Sequence, residues 1–258
     1  MGDAVMDARL REGVAVVTGA GGGLGRALAL ELAAQGLTVA AIGRDPVALG
    51  ALVAEGGGRI HPVVADVADG AQVRAAFAGI GADLGPVTVL INNAAVYPRR
   101  DLLEDGAEGI MATVAVNLGG VTHCSLAALE GMVATGFGRI VNVSSFADVA
   151  PLPASAGYAV SKGAVRVLTR AMVADLGDRF PGIVIGDWMP GMLATRMGLA
   201  EGLDPAQAAR WGVRLALWHD RSLNGAVFEM DREILPPRGL KRRMLERLTG
   251  RRAVARRL

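Results

Sequence analysis

Seven short apolar runs recur along the chain, each four to six residues long: Val14–Thr18, Thr38–Gly43, Ile60–Ala65, Val87–Ile91, Arg139–Ser144, Ile183–Gly186 and Ala226–Met230. They are rich in β-branched residues and apolar at successive positions, as strands covered on both faces should be. Between them, apolar positions recur every three to four residues, which predicts helices over Gly23–Gln35, Pro46–Glu55, Gly70–Ala78, Glu108–Ala134, Gly157–Asp178 and Pro205–Trp218. Strict alternation of strand and helix predicts an α/β fold, a doubly wound parallel sheet of the Rossmann type. About seven strands would carry helices on both faces through right-handed crossovers. The stretch Met111–Leu129 carries no charge, yet Asn117, Thr122, His123 and Ser125 interrupt it, so it reads as a buried helix and not a membrane span.

The first chemical signal stands between the first strand and the first helix, Thr18-Gly19-Ala20-Gly21-Gly22-Gly23-Leu24-Gly25. Glycines let a backbone turn sharply and approach a ligand, and a helix start offers free N–H groups to a pyrophosphate. No Gly-Lys-Ser/Thr follows, which argues against an NTPase. At the end of the second strand, Gly43 leaves no acid to take the ribose hydroxyl of NAD, while Arg44 offers a planar cation to the 2′-phosphate of NADP. The plainer alternative pairs Arg44 with Asp45.

Composition sharpens a second signal. Only two of the 27 basic residues are lysines, Lys162 and Lys241, and only two tyrosines occur, Tyr97 and Tyr158. Tyr158 and Lys162 lie four apart in a helical pattern, so the ammonium shares a face with the phenol. A nearby cation favours the phenolate and makes Tyr158 usable as a general acid or base. Ser144 and Ser145 end the fifth strand, at the carboxyl edge where such sheets bind ligands, and a hydroxyl there can bond a carbonyl oxygen. Neither serine sits in a Gly-x-Ser-x-Gly elbow, which leaves a serine hydrolase poorly supported.

With these motifs in order, the sequence resembles the short-chain dehydrogenase/reductase family, in its single-domain branch, from about Gly13 to Asp231. The motifs are the glycine turn at Thr18–Gly25, Asp66-Val67, Asn92-Asn93-Ala94-Ala95, Asn117, Ser145, Tyr158-x3-Lys162, and Pro190-Gly191 with Thr195 beyond. The resemblance implies that Tyr158 exchanges a proton with the substrate oxygen and that Ser145, which has the family's spacing to the tyrosine, holds that oxygen. Lys162 is implied to lower the tyrosine's pKa and bind the nicotinamide ribose, and Asn117 to hold a water relaying protons to Lys162. Cofactor contacts are implied for Thr18, Gly19, Gly23, Leu24, Gly25, Arg44, Asp66, Val67, Asn93, Tyr158, Lys162, Pro190, Gly191 and Thr195.

Three departures qualify the resemblance. Ala95 replaces the usual glycine after Asn-Asn-Ala. Only Arg196–Asp204 separates Thr195 from the next helix, a short lid that implies an open site and admits bulky or carrier-bound substrates. Met230-Asp231-Arg232-Glu233 lacks the family's Gly-Gly, which weakens the case for its usual tetramer contacts, although a homodimer or homotetramer is still expected. Tyr97, Phe146, Met192 and Trp211 suggest a pocket for an apolar substrate portion, with core packing as their alternative.

Charge divides the chain in two. From Arg238 to Leu258 nine cations face one acid, net +8, while the other 237 residues hold 18 cations and 24 acids, net −6. A domain over 1–237 and a basic tail over 238–258 follow, with Leu240, Met244 and Leu248 on one face of a short tail helix. Such a tail is a solvated block, or contacts a membrane surface, a nucleic acid or an acidic partner. One cysteine, Cys124, excludes an internal disulfide, and no metal site is expected. The first residues lack a signal-peptide core, so a cytoplasmic location is expected.

The expectation is thus an NADP-dependent oxidoreductase, NAD being the less favoured cofactor. It would act on a small-molecule ketone or secondary alcohol, bulky or carrier-bound ones included, as a carbonyl or 3-oxoacyl-type reductase. The alternatives are a sugar-nucleotide epimerase or dehydratase, and a non-catalytic dinucleotide-binding regulator whose tail binds membrane or nucleic acid.

Overall fold

A computed structural model describes residues 8–235 and 254–258. Eight strands form one sheet: β1 (Val14–Thr18), β2 (Thr38–Gly43), β3 (Ile60–Val64), β4 (Val87–Asn92), β5 (Gly138–Val143), β6 (Ile183–Met189), β7 (Val227–Glu229) and β8 (Arg232–Ile234). Their order is β3-β2-β1-β4-β5-β6-β7-β8. All pairs are parallel except β7–β8. The helices are α1 (Gly23–Ala34), α2 (Pro46–Glu55), α3 (Gly70–Asp83), α4 (Leu102–Val114), α5 (Gly120–Thr135), α6 (Ala156–Leu176) and α7 (Pro205–Leu217).

Alternate strand residues feed two cores. On one face Ala15, Val17, Val184 and Trp188 pack with Leu28, Leu32 and Val213 of α1 and α7. On the other, Val16, Leu90, Ile140 and Ile185 pack with Phe77, Cys124, Met132 and Met172 of α3, α5 and α6. Burial on both faces explains why the strands read as unbroken apolar runs. The sheet reverses winding direction where β1 lies between β2 and β4, which places the ligand crevice at the carboxyl ends of β1 and β4.

The structure departs from the sequence pattern in four places. The single helix expected over Glu108–Ala134 begins earlier, at Leu102, and breaks at Gly106 (φ 61°, ψ −175°). It then passes through a π-helical turn, Ala115–Gly119, before α5. The stretch Leu102–Thr135 is long and apolar enough to cross a membrane, but Val121, Cys124, Ser125, Ala128 and Met132 are buried in the body of the fold. Strand β6 continues through Asp187 to Met189, three residues past the apolar run. An eighth strand follows a turn at Met230 (φ 47°); its Arg232 and Glu233 gave no apolar signal.

The fourth departure concerns the last five residues of the tail. Residues 236–253 lie outside the described residues, and so does the helix expected around Met244. The last five, however, return to the sheet edge. Arg257 bridges Arg232 antiparallel, and the Glu233 N–H donates to the Arg256 carbonyl at 3.0 Å. The Arg256 guanidinium grips Glu233 (Nη2 to Oε1, 2.6 Å) and donates to the Ser222 hydroxyl at 2.7 Å. Leu258 packs on the α1–α7 core. The end of the basic segment therefore belongs to the folded body, and the acids it meets are the chain's own.

Candidate active site

The glycine turn is held from behind. The Thr18 hydroxyl accepts the N–H groups of Asn93 and Ala94, both at 3.0 Å, and the Asn93 amide donates back to the Thr18 carbonyl at 2.9 Å. These bonds tie the ends of β1 and β4 together at the winding reversal. Gly19 sits at φ 67°, where a Cβ would meet the Ala94 Cα at 2.8 Å; at Gly25 a Cβ would fall 2.2 Å from the Gly19 carbonyl oxygen. Thr18, Leu24 and Gly25 are buried, so they shape the turn, while Gly22 and Gly23 face outward.

Helix α1, like α5 and α6, starts without a side-chain cap. Asp45, Asp69, Asp101 and Asp204 cap α2, α3, α4 and α7 with their side chains. Helix α1 instead opens on Gly22 with no capping side chain and no acid in its first turn. Its free N–H groups and positive dipole end suit an anion. With the outward-facing glycines, this is a cradle that fits a pyrophosphate. Thr195 closes one side, its Cγ2 3.3 Å from where a Cβ on Gly23 would stand.

Beyond β2, Arg44 is exposed and its Nη1 lies 3.6 Å from Asp66 Oδ2. Asp45, the partner weighed from the sequence, is occupied in capping α2. Asp66 also accepts the Ala68 N–H at 3.0 Å. Val67 is buried, and its carbonyl meets His123 Nδ1 at 3.0 Å.

At the ends of β5 and β6 the remaining predicted residues converge. Ser145 caps the turn Phe146–Asp148 by accepting the Ala147 N–H at 3.2 Å. Ser144 is turned inward and buried, its hydroxyl among the described buried groups without a partner, which favours Ser145 as the available one. Tyr158 and Lys162 stand one turn apart on α6, with the ammonium 5.8 Å from the Tyr158 ring centroid. Lys162 is buried and donates to the Val143 carbonyl at 2.7 Å. Burial pushes its pKa down to about 8, against the pull of Asp187.

The lowered phenol pKa expected from the sequence is not found in this arrangement. Burial raises Tyr158 above its ordinary value, and hydrogen bonding to Ser145 opposes that rise. Asn117 is buried in the π-helical turn. Its amide is committed to the Val96 backbone, accepting from N at 2.8 Å and donating to O at 3.0 Å, and to the Ser161 hydroxyl at 2.9 Å. Both amide hydrogens are used, so the side chain clamps this loop.

That loop carries Tyr97, a pocket candidate from the sequence, and Arg99, for which the sequence offers no role. Tyr97 stacks on Tyr158, ring centroids 4.5 Å apart at 18°. Arg99, in the left-handed region at φ 53°, lies over Tyr97 and donates to the carbonyls of Met197 (2.7 Å) and Gly198 (3.1 Å) in the short lid. The lid is a compact loop pinned by a Leu193–Leu203 bridge after the Pro190-Gly191 turn. A cavity of about 440 Å³ opens beside Tyr97, lined also by Val96, Thr113, Arg196 and Met197. Of the other pocket candidates, Phe146 and Met192 are exposed and Trp211 packs on the core. Among the described residues no cluster of His, Cys, Asp or Glu could hold a metal.

Known proteins place this arrangement. The family model for short chain dehydrogenase matches residues 13–204. The chain is 39% identical over 198 residues to the short-chain reductase protein NovJ of Streptomyces niveus, covering 75% of this chain and 74% of that one. It is 38% identical over 204 residues to L-xylulose reductase of Bos taurus (79% and 81%). It is 36% identical over 207 residues to galactitol 2-dehydrogenase (L-tagatose-forming) of Cereibacter sphaeroides (79% and 80%). The fold also matches a crystal structure of a short chain dehydrogenase from Bacillus anthracis, with a TM-score of 0.78 at 24% identity over 86% of this chain and 96% of that one. The chain belongs to the short-chain dehydrogenase/reductase family, NAD(P)-dependent oxidoreductases of the CH–OH/C=O couple.

Proposed function

We propose that the protein is an NADP-dependent reductase of a ketone, running in reverse on the secondary alcohol, with Ser145, Tyr158 and Lys162 as its proton-transfer site. The observation that carries this reading is geometric: the buried Lys162 stands one helical turn from Tyr158 with its ammonium 5.8 Å from the Tyr158 ring centroid, and Ser145 lies just past the end of β5 at the same edge of the sheet. Tyr158 donates its phenolic proton to the substrate oxygen as that oxygen gains charge, and the Ser145 hydroxyl bonds the same oxygen. The Lys162 ammonium, 5.8 Å from the ring centroid, is the cation that stands beside the phenolate left behind. A bound nicotinamide cofactor supplies the hydride. Gly21–Gly23 and the start of α1 would hold its pyrophosphate, Asp66 and Val67 its adenine end, and Asn93, Pro190, Gly191 and Thr195 would border it.

Arg44 supports NADP, because its guanidinium is exposed at the end of β2 with only a loose contact to Asp66. Relatives named for reducing L-xylulose support the reductive direction and a small polar ketone. The test is oxidation of NADPH and of NADH against ketoses, 3-oxoacyl thioesters and apolar ketones. Turnover with NADPH favoured over NADH is expected, and Arg44→Ala should narrow that preference roughly tenfold, about 1.4 kcal/mol. Tighter binding of NADH, unchanged in Arg44→Ala, would overturn the assignment of NADP.

A further inference from the structure

Three neighbouring strands place polar side chains side by side, one row beneath the carboxyl edge. Asn92 of β4 pairs in register with Asn142 of β5, and Asn142 with Asp187 of β6. All three are buried, as are Ser125 and Thr169, which lie against them from α5 and α6. The Asn92 amide donates to the Asn142 oxygen at 2.8 Å and to the Ser125 hydroxyl at 3.0 Å. The Asn142 amide then donates to the Thr169 hydroxyl at 2.9 Å, and that hydroxyl donates to Asp187 Oδ1 at 2.8 Å.

The direction of this chain is informative. From Asn92 onward each donor points toward Asp187, which ends the series as an acceptor only. An ionised carboxylate is the group that fits such a terminus, and hydrogen bonds in series strengthen one another. The charged groups facing Asp187 are Lys162, Arg166 and Arg170, all from α6. Its strand neighbours, Asn142 and Val227, do not titrate. Arg166 is engaged by Asp148 through bonds of 2.7 and 3.0 Å. Lys162 has no acid within ion-pair distance among the described residues, but its ammonium bonds the Val143 carbonyl, one residue beyond Asn142, whose register partner on β6 is Asp187.

A buried ammonium without a counter-charge gives up its proton. We propose that Asp187 is the buried counter-charge of Lys162: the donor chain across β4, β5 and α6 holds its carboxylate ionised, and that charge keeps Lys162 protonated beside Tyr158. Asp187 is thus a positioning residue, and its part in turnover rests on the reading of Lys162 given above. Burial pushes the Asp187 pKa up to about 6, held there by Thr169 and the three cations, so it is charged at neutral pH.

The chain has two lysines, so a Lys241→Arg background with [ε-¹³C]lysine leaves Lys162 as the single reporter. Its NMR titration should centre at about 8. Asp187→Asn should lower that midpoint by about one unit or more, since burial then acts on the ammonium with no carboxylate to oppose it. Asp187→Glu should restore most of the shift. Should Asn at 187 prevent folding, Asp187→Ser carries the same comparison. The alkaline limb of the pH–kcat profile should move with the midpoint. A midpoint unmoved by loss of the carboxylate overturns the proposal. A moved midpoint with a fixed alkaline limb upholds the counter-charge and overturns instead the use of Lys162's charge in the reaction.

Discussion

Arg139 and Lys162 are 1% and 2% exposed, and they sit on opposite faces of the same pair of strands. Arg139, near the start of β5, donates to the carbonyls of Ile140, Val184 and Leu215, the last in the final turn of α7. It meets oxygen dipoles and a helix C-terminus, with no acid as partner among the described residues. Lys162 lies at the other end of β5, where the sheet opens to ligands. One donor goes to the Val143 carbonyl, a phenol stands beside it, and a carboxylate lies within electrostatic reach. Burial depresses both, Arg139 to about 9 and Lys162 to about 8. A perturbed pKa therefore does not mark a site by itself. Position at the carboxyl edge, spare donors and an ionisable neighbour distinguish Lys162 from a cation that serves only to join elements.

The comparison is broken most severely by removing each cation in turn. Lys162→Met should lower kcat by about 10²–10⁴-fold. Arg139→Met should leave kcat within about threefold but cost about 1–3 kcal/mol, by leaving buried carbonyls short of a donor. Thermal denaturation and steady-state kinetics on the two variants measure both, and equal losses of activity would erase the distinction.

A pH series sharpens the same contrast. Lys162 titrates near 8 in the folded chain against 10.5 unfolded, so the unfolded chain binds more protons between those values. Stability linked to Lys162 must then rise with pH across that window, while activity that needs the ammonium falls. Opposite slopes of melting temperature and kcat above about pH 8 are expected, and the Lys162 share of the stability slope should vanish in Lys162→Met.

Smaller effects belong to the lid and the returning C-terminus. Arg99→Ala frees the lid from the Tyr97 loop and should raise the substrate KM several-fold with little change in kcat, on the order of 1 kcal/mol. Deleting residues 254–258 removes the Arg256–Glu233 pair and the packing of Leu258. It should lower the melting temperature by roughly 2–4 °C, for about 1 kcal/mol, and leave kcat unchanged.

What could be read from the sequence follows from how local each signal is. The β1–α1 turn and the Tyr158–Lys162 spacing lie within single elements, so periodicity and composition were enough to find them. The row Asn92–Asn142–Asp187 draws on three strands separated by 50 and 45 residues, and it exists only once their register is set. Asp187 itself stood just past the apolar run of β6, where a charged residue reads as the end of a strand. Tyr97 was legible as a pocket candidate, but its stack on Tyr158 depends on the Asn117 clamp, which no spacing rule announces. The tail's sequence announces only its charge; that its last residues return to Glu233 and Asp231 depends on β8 presenting those acids at the sheet edge.

The most direct measurement of the account is NADPH oxidation by Tyr158→Phe against an accepted ketone, with cofactor binding measured in parallel. The account predicts that turnover falls by at least about a hundredfold while NADPH binds as in the wild type. Undiminished turnover in Tyr158→Phe would contradict it.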